Sequence, residues 1–259
     1  MDGPVRRFVA PSLREPAAIL AFEGWNDAGE SASSALRYLA EATQAVPLAE
    51  IDPEEFFDFT VKRPNVRVGE GSLRQIDWPT FALRYASAGP DRDLVLGVGP
   101  EPHFHWRRYI AHLVELLEEM GVRRVALTGA YLADVLYSRP ARVAGFASEP
   151  GLMERLAIEP TGYEGPTGIV GVLASELTEA DFEVVSLWVG LPHYVNAAPN
   201  PRGALALLQT LTQYLDFRVD DGPLATQAAE YENRVSEMVA ADPVLAEYVK
   251  DLKRREFAQ

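Results

Sequence analysis

The segment AAILAFEGWNDAGESASSALRYLAE, residues 17–41, decides the fold of this chain. Residues 17–23 form a short, almost continuous apolar run, which is typical of a strand covered on both faces. Gly24 follows that run, and apolar residues return at helical spacing between Ser31 and Glu41. The segment therefore predicts a buried strand, a tight turn and a helix, the repeating unit of α/β proteins.

The same alternation continues along the chain. Further short apolar runs, each bounded by Gly, Pro or Asp, predict buried strands at residues 94–98, 124–128, 143–147 and 184–191. Helical spacing of apolar residues predicts helices at residues 106–120 and 202–215. Between these, residues 51–85 mix Phe and Val with polar residues, which predicts antiparallel hairpins. We expect an α/β fold with a parallel or mixed sheet that has helices on both faces.

The composition changes near the C-terminus. The residues Asp-Asp-Gly-Pro at positions 220–223 break the chain, and two amphipathic helices follow. Asp242 followed by Pro243 predicts the start of the second helix, because aspartate caps helices and proline fits their first turn. We therefore divide the chain into an α/β core domain, residues 1–219, and a C-terminal helical hairpin, residues 220–259, packed on or beside the core.

Composition narrows the class of protein. The 259 residues include no cysteine, which removes disulfides, thiolate metal sites and cysteine nucleophiles. The formal net charge of −14 repels phosphate backbones and anionic headgroups, so we expect neither nucleic-acid binding nor membrane-surface binding. No apolar run approaches the length of a signal peptide core or a membrane span. A cytoplasmic protein fits these features.

The turn after the first predicted strand holds Asn26, Asp27 and Gly29. One interpretation is structural: Asp27 caps the following helix, and Glu30 reaches back to complete a capping box. The other is functional, because ligands of α/β proteins usually bind where strands end and helices begin. We favour the structural interpretation and keep the functional one open.

Histidines follow two other predicted strands. His103 and His105 could ligate a metal ion together with Glu101, but no third committed ligand is visible nearby, so we favour loop histidines that cap or pack the next helix. His193 follows the last strand and has the position of a general base, although no acid partner can be assigned from spacing. A hydrogen-bonded structural role is the alternative, and Asn200 with Pro201 predicts the start of the next helix.

The glycine-rich stretch at residues 165–171, Gly-Pro-Thr-Gly-Ile-Val-Gly, matches neither a P-loop nor a dinucleotide fingerprint. It predicts a tight turn into a closely packed helix. No serine nucleophile elbow is present either. We therefore expect no metal, no nucleotide and no other cofactor.

Taken in order, several motifs resemble the proteasome assembly chaperone 2-like family, in its actinobacterial form. They are Gly24-Trp25-Asn26-Asp27-Ala28-Gly29, Gly99-Pro100-Glu101-Pro102 before Trp106, Ser138-Arg139-Pro140, Gly165-Pro166-Thr167-Gly168 and Pro192-His193-Tyr194 before Asn200-Pro201. The resemblance covers nearly the whole chain and includes both terminal helices. It implies a three-layer α/β/α core similar to phosphorylase and peptidyl-hydrolase folds, and eukaryotic relatives that escort proteasome α-subunits during ring assembly.

Two positions depart from the family pattern. Its chaperones dock through a C-terminal hydrophobic-Tyr-any motif, whereas this chain ends in Phe257-Ala258-Gln259, so the resemblance does not extend to docking by that tail. Tyr137 stands where the family more often has histidine, which argues against histidine chemistry in that loop.

Two functions of different classes follow. The first is a non-enzymatic protein-binding or assembly factor that acts as a homo-oligomer, a trimer or a dimer, and for which the resemblance implies proteasome-related partners. Aromatic residues in irregular segments favour such interfaces; they are Trp25, Trp78, Trp106, Phe56, Phe57 and Phe59. The second is a small-molecule enzyme, hydrolase-like, nucleosidase-like or an ATP-dependent carboxylate-amine ligase, with a pocket at the C-terminal ends of the strands. Its candidate pocket residues are Trp25, Asn26, Asp27, Gly29, His103, Arg139 and His193.

Overall fold

A computed structural model describes residues 4–69, 73–195 and 197–257. Within these residues the strands are Val5–Arg7 (β1), Ala17–Glu23 (β2), Val46–Ile51 (β3), Asn65–Val68 (β4), Arg74–Asp77 (β5), Phe81–Ser87 (β6), Asp93–Pro100 (β7), Arg124–Ala133 (β8), Val143–Ala147 (β9), Glu159–Pro160 (β10) and Glu183–Pro192 (β11). The helices are Ser31–Ala42 (α1), Trp106–Glu119 (α2), Leu152–Arg155 (α3), Ile169–Glu179 (α4), Pro201–Leu215 (α5), Gly222–Ala241 (α6) and Pro243–Phe257 (α7). All five strands and all three helices predicted from the apolar pattern of the α/β part are present.

Nine of the described strands form one mixed sheet in the order β1-β3-β6-β7-β2-β8-β11-β9-β10. Strand β2 lies in the centre and pairs in parallel with β7 and β8, and β8 pairs in parallel with β11. Antiparallel strands extend the sheet on both sides, β6 next to β7 and β9 next to β11. The predicted α/β class is confirmed.

Helices cover both faces of this sheet, which confirms the three-layer arrangement. Alternate residues of β2 show how the layers form, because successive side chains of a strand point to opposite faces. Ala17, Ile19 and Ala21 pack with residues of α1 and α5, whereas Leu20 and Phe22 pack with residues of α2 and α4. None of these five side chains is exposed to solvent.

The parallel strands place four loops at one edge of the sheet. Strand β2 ends at Glu23, β7 at Pro100, β8 at Ala133 and β11 at Pro192. Because these strands are parallel, their carboxyl ends meet at this edge. All seven candidate pocket residues lie in the loops that follow these four strands.

Residues 51–85 differ in part from the predicted hairpins. One hairpin forms there, β4 with β5, as a separate two-stranded sheet. The last strand of this stretch, β6, instead joins the main sheet, between β3 and β7. Its pairing with β7 is local, because only residues 88–92 separate the two strands. Its pairing with β3 is not, because residues 52–80 lie between them, and the local pattern could not indicate it.

The aromatic residues expected at interfaces separate into two groups. Phe56 and Phe57 are buried, Phe59 and Trp106 pack partly against the same core, and only Trp25 and Trp78 are largely exposed. The expectation of an interface role was therefore wrong for Phe56 and Phe57, which belong to the buried core; Phe56 packs against Tyr109 of α2 and Phe57 against His103.

Helices α6 and α7 pack on the core at the carboxyl edge of β8 and β11. Tyr231, Val235 and Leu252 of these helices form one buried cluster with Leu136 and Val195 from the loops after β8 and β11. The hydroxyl of Tyr231 also donates to the carbonyl of Ala197, at 3.1 Å. These contacts attach the helical extension to the loops that contain Arg139 and His193.

Candidate functional site at the carboxyl edge of the sheet

Asp27 stabilises the start of helix α1. Its carboxylate accepts hydrogen bonds from the backbone N–H groups of Ala32 at 2.7 Å and Ser33 at 3.2 Å. Burial raises the pKa of Asp27, and these hydrogen bonds oppose that shift by stabilising the charged form. The capping role is confirmed, but the capping box is wrong. Glu30 occupies the N-cap in a left-handed conformation and makes no capping bond within the described residues.

Asn26 and Glu101 join the loops after β2 and β7 to the start of α4. The fully buried Asn26 donates from Nδ2 to Glu101 Oε1 at 3.0 Å, and the backbone N–H of Ile169 donates to the same oxygen at 2.7 Å. A Cβ at Gly168 would lie 2.2 Å from Asn26 Oδ1, so glycine is required where this helix starts. Glu101 therefore acts as a capping group, which sequence analysis had considered only as a metal ligand.

Gly29 lets the turn after β2 approach the start of α5. It has a φ of +57°, and a Cβ there would lie 3.1 Å from the Cβ of Asn200. The backbone N–H of Asn200 donates to the carbonyl of Gly29 at 2.8 Å. The Asn200 side chain accepts from the N–H groups of Arg202 and Gly203, which confirms the predicted N-cap.

His103 lies apart from these residues. Its Nδ1 accepts a hydrogen bond from the backbone N–H of Asp58 at 3.0 Å, and its backbone N–H donates to the carbonyl of Phe56 at 2.8 Å. Its ring packs edge-on against Phe57. The expected packing role of His103 is confirmed. Trp25, on the neighbouring loop, is 62% exposed.

His193 connects the end of β11 to helix α7. Its Nε2 lies 2.9 Å from Asp134 Oδ1 and 2.8 Å from the Tyr248 hydroxyl, which itself donates to Asp134 Oδ1 at 3.1 Å. Partial burial and the hydrogen bond to Asp134 raise the pKa of Tyr248. Sequence analysis found no acid partner for His193, because Asp134 and Tyr248 are 59 and 55 residues away along the chain.

A cleft of about 690 Å³ lies between the helical extension and the loops after β8 and β11. Its lining includes Arg139, Arg202 and Tyr131 from the core, and Glu232 and Glu256 from α6 and α7. Arg139 was among the residues predicted from the sequence, but Arg202 was not. Its position directly after the Asn200-Pro201 helix start could have indicated it. The volume lies in the range of small-molecule sites.

The seven candidate pocket residues therefore lie in three places. Asn26, Asp27 and Gly29 form the buried turn before α1, with the exposed Trp25 next to them. His103 lies on the loop after β7, and Arg139 and His193 lie beside the cleft. Within the described residues, no group of three metal-ligating side chains is present. No helix in the described part of the chain has the length and apolarity needed to cross a membrane.

Comparison with known proteins shows which family has this architecture. The model of the PAC2 family matches residues 21–239. The chain belongs to the PAC2 family. A PAC2 family protein from Streptomyces avermitilis is 42% identical, with a TM-score of 0.84 over 90% of this chain and 99% of that one. No curated protein sequence matches significantly.

Other solved structures share the PAC2 fold. A proteasome-assembly chaperone homologue from Mycobacterium tuberculosis is 39% identical, with a TM-score of 0.82 over 90% of this chain and 99% of that one. An archaeal proteasome activator from Pyrococcus furiosus is 19% identical, with a TM-score of 0.70 over 90% and 97% of the two chains, a likeness of fold alone.

Proposed function

We propose that this PAC2 protein is a cytoplasmic, non-catalytic assembly factor that binds proteasome-related proteins and acts as a homo-oligomer. The 39% identity to a proteasome-assembly chaperone homologue supports the choice of partner. The main structural support for protein binding is the uncovered, mostly apolar face of the hairpin β4–β5.

One face of the hairpin is mostly apolar, with Arg74 opposite Val68 as its charged residue, and the other face is polar and charged. Val66 lies opposite Ile76 and points to the same face as Val68, and these three side chains are between 52% and 71% exposed. The other face contains the ion pair between Arg67 and Asp77. Because a two-stranded hairpin with no covering layer is marginal in water, burial of this face against another protein would stabilise it.

The distribution of charge along the chain favours a second copy of the same chain as one of the proteins that bind the hairpin. Residues 61–77 contain four basic side chains and two acidic ones, in a chain whose net charge is −14. The remainder of the molecule is therefore strongly acidic. The hairpin of one copy is attracted to the acidic surface of another, whereas two hairpins facing each other repel.

The polar residues at the strand ends support a non-catalytic role. The side chains of Asp27, Glu101 and His103 each accept a hydrogen bond from a backbone N–H group. They therefore stabilise loops and helix starts, and they do not converge in one cavity. The arrangement of Asp134, His193 and Tyr248 at the edge of the cleft favours a small-molecule enzyme as the second candidate function.

Co-purification tests the proposal. The tagged chain, expressed with the proteasome α- and β-subunits encoded by the same genome, is expected to form a complex of fixed stoichiometry on size exclusion. The variant Val66→Thr/Ile76→Thr replaces one apolar branch of each side chain by a hydroxyl group, keeps both side chains β-branched and should weaken the complex. The matched control, Asn65→Thr/Gln75→Thr, changes the opposite face and should leave it intact. Absence of any complex with the unmodified chain would contradict the proposal.

A further inference from the structure

Two ion pairs join the core to the helical extension beside the cleft. Arg139 and Arg202 belong to the core, whereas their acidic partners belong to the extension. Glu256 of α7 contacts Arg139, and Glu232 of α6 contacts Arg202. The extension thus places two carboxylates of the chain against two guanidinium groups of the core.

The Arg202 side chain contacts the backbone of the segment that contains Arg139, and both arginines line the cleft. Arg202 Nη2 donates to the backbone carbonyl of Arg139 at 2.6 Å, and the Arg202 side chain is only 16% exposed. This contact with the core is in addition to the ion pair with Glu232, and Arg202 itself lies in the first turn of α5, directly after the Asn200-Pro201 helix start. The core therefore contributes two cationic side chains to the lining of the cleft.

The contacts between these carboxylates and the arginines are longer than the strongest bonds of this kind. Arg139 Nε lies 3.3 Å from Glu256 Oε2, and Arg202 Nη2 lies 3.5 Å from Glu232 Oε2. Strong charge-assisted hydrogen bonds between guanidinium and carboxylate groups are about 2.7–2.9 Å long. A ligand free to adjust its position could form shorter bonds than two glutamates fixed on packed helices.

The remaining lining suits an organic ligand. Tyr131 and Tyr137 line the same cleft with aromatic rings and hydroxyl groups, and Val235 and Leu252 add apolar surface. The volume of about 690 Å³ exceeds what two displaced carboxylate groups would fill. The ligand therefore has room for a carbon skeleton between its acidic groups.

We propose that this cleft binds an organic dicarboxylate at Arg139 and Arg202, and that Glu256 and Glu232 occupy the two positions in its absence. The dicarboxylate is either a free small molecule or a pair of acidic side chains on a peptide. In both cases the ligand competes with the helical extension, so binding weakens the contacts of α6 and α7 with the core.

Isothermal titration tests this competition with two probes, glutarate and an acetylated, amidated triglutamate peptide. The variant Glu232→Gln/Glu256→Gln should bind at least one probe about tenfold more tightly than the unmodified chain, because the internal competitors have lost their charge. The control Glu237→Gln/Glu247→Gln makes the same change of net charge on the same helices and should bind like the unmodified chain. Arg202→Gln added to the first variant should abolish binding.

The source of the ligand follows from which probe binds: glutarate indicates a small molecule, and the peptide alone indicates acidic side chains. Failure of both probes to bind Glu232→Gln/Glu256→Gln would overturn the proposal, as would equal affinities for this variant and its control. Melting curves show whether each variant is folded, and Arg139→Gln replaces Arg202→Gln if the latter is not. No described residue of the hairpin β4–β5 lines the cleft. The titrations therefore test ligand binding independently of the co-purification experiment that tests protein assembly.

Discussion

Strand β2 and the hairpin β4–β5 are both built from β-forming residues, but their surroundings are opposite. Every apolar side chain of β2 is fully buried, because helices cover both faces of the sheet. The hairpin has no such layer, and Val66 and Ile76 remain more than half exposed. The core can thus be stable without a partner, whereas burial of the hairpin's apolar side chains against a partner would stabilise it. The hairpin is therefore the region where protein contacts are expected to act.

Replacement of a large side chain in the covered strand should have the largest effect on stability. Phe22 is fully buried and stacks on Phe81 with ring centroids 4.6 Å apart. Phe22→Ala removes apolar contacts and leaves a cavity, so we expect a loss of about 3–5 kcal/mol in the free energy of unfolding. Urea unfolding monitored by circular dichroism measures this loss of free energy. A loss below about 1 kcal/mol would show that the core repacks easily.

Loss of the Asp27 cap should have a smaller effect at the carboxyl edge. Asp27→Ala removes two hydrogen bonds to the start of α1 and should cost about 1–2 kcal/mol. Asp27→Asn retains one acceptor oxygen, so its stability should lie between that of the unmodified chain and that of Asp27→Ala. Thermal melts compare the three. An unchanged melting temperature combined with lost partner or ligand binding would assign Asp27 a functional role instead.

The amino-acid sequence indicated the covered regions better than the exposed ones. Residues 17–41 were predictable because an apolar run, a glycine and a helical repeat agree locally about strand, turn and helix. The pairing of β6 with β3 was not predictable, because residues 52–80 separate these strands and the packing of the whole sheet decides which strand lies on that side of β6. Local pattern cannot encode that choice.

The candidate site shows the same limit. The individual roles of Asp27 and Asn200 followed from their positions before a helix. The contact of Arg139 with Glu256 joins residues 117 apart, and that of Asn26 with Glu101 joins residues 75 apart. Such pairs depend on how the helical extension and the loops fold back, which a single sequence does not reveal.

A pH series tests an ion pair at the opposite edge of the sheet. Asp93 accepts from the side chain and backbone N–H of Arg14, and these bonds hold the pKa of Asp93 below its usual value of 3.8. Its contribution to stability is therefore complete above pH 4 and is lost as the pH falls through the lower value of the folded protein.

Asp93→Asn should cost about 1–2 kcal/mol at pH 7, since the Arg14 side chain is half exposed and partly screened. The difference between variant and unmodified chain should shrink as the pH falls below 4, because both then lack the charge. Chemical unfolding at several pH values measures this difference. A difference that is constant from pH 7 to pH 2 would show that the charge of Asp93 contributes nothing.

The smallest effect on stability, and the most direct test of the account, comes from the hairpin. Val66→Thr/Ile76→Thr should change the free energy of unfolding by less than about 0.5 kcal/mol per site, because both side chains are exposed in the single chain. Light scattering coupled to size exclusion measures the mass in solution. We predict a mass of more than one chain for the unmodified protein and for Asn65→Thr/Gln75→Thr, and a shift toward one chain for Val66→Thr/Ile76→Thr. A single-chain mass for the unmodified protein over a wide concentration range would contradict the account.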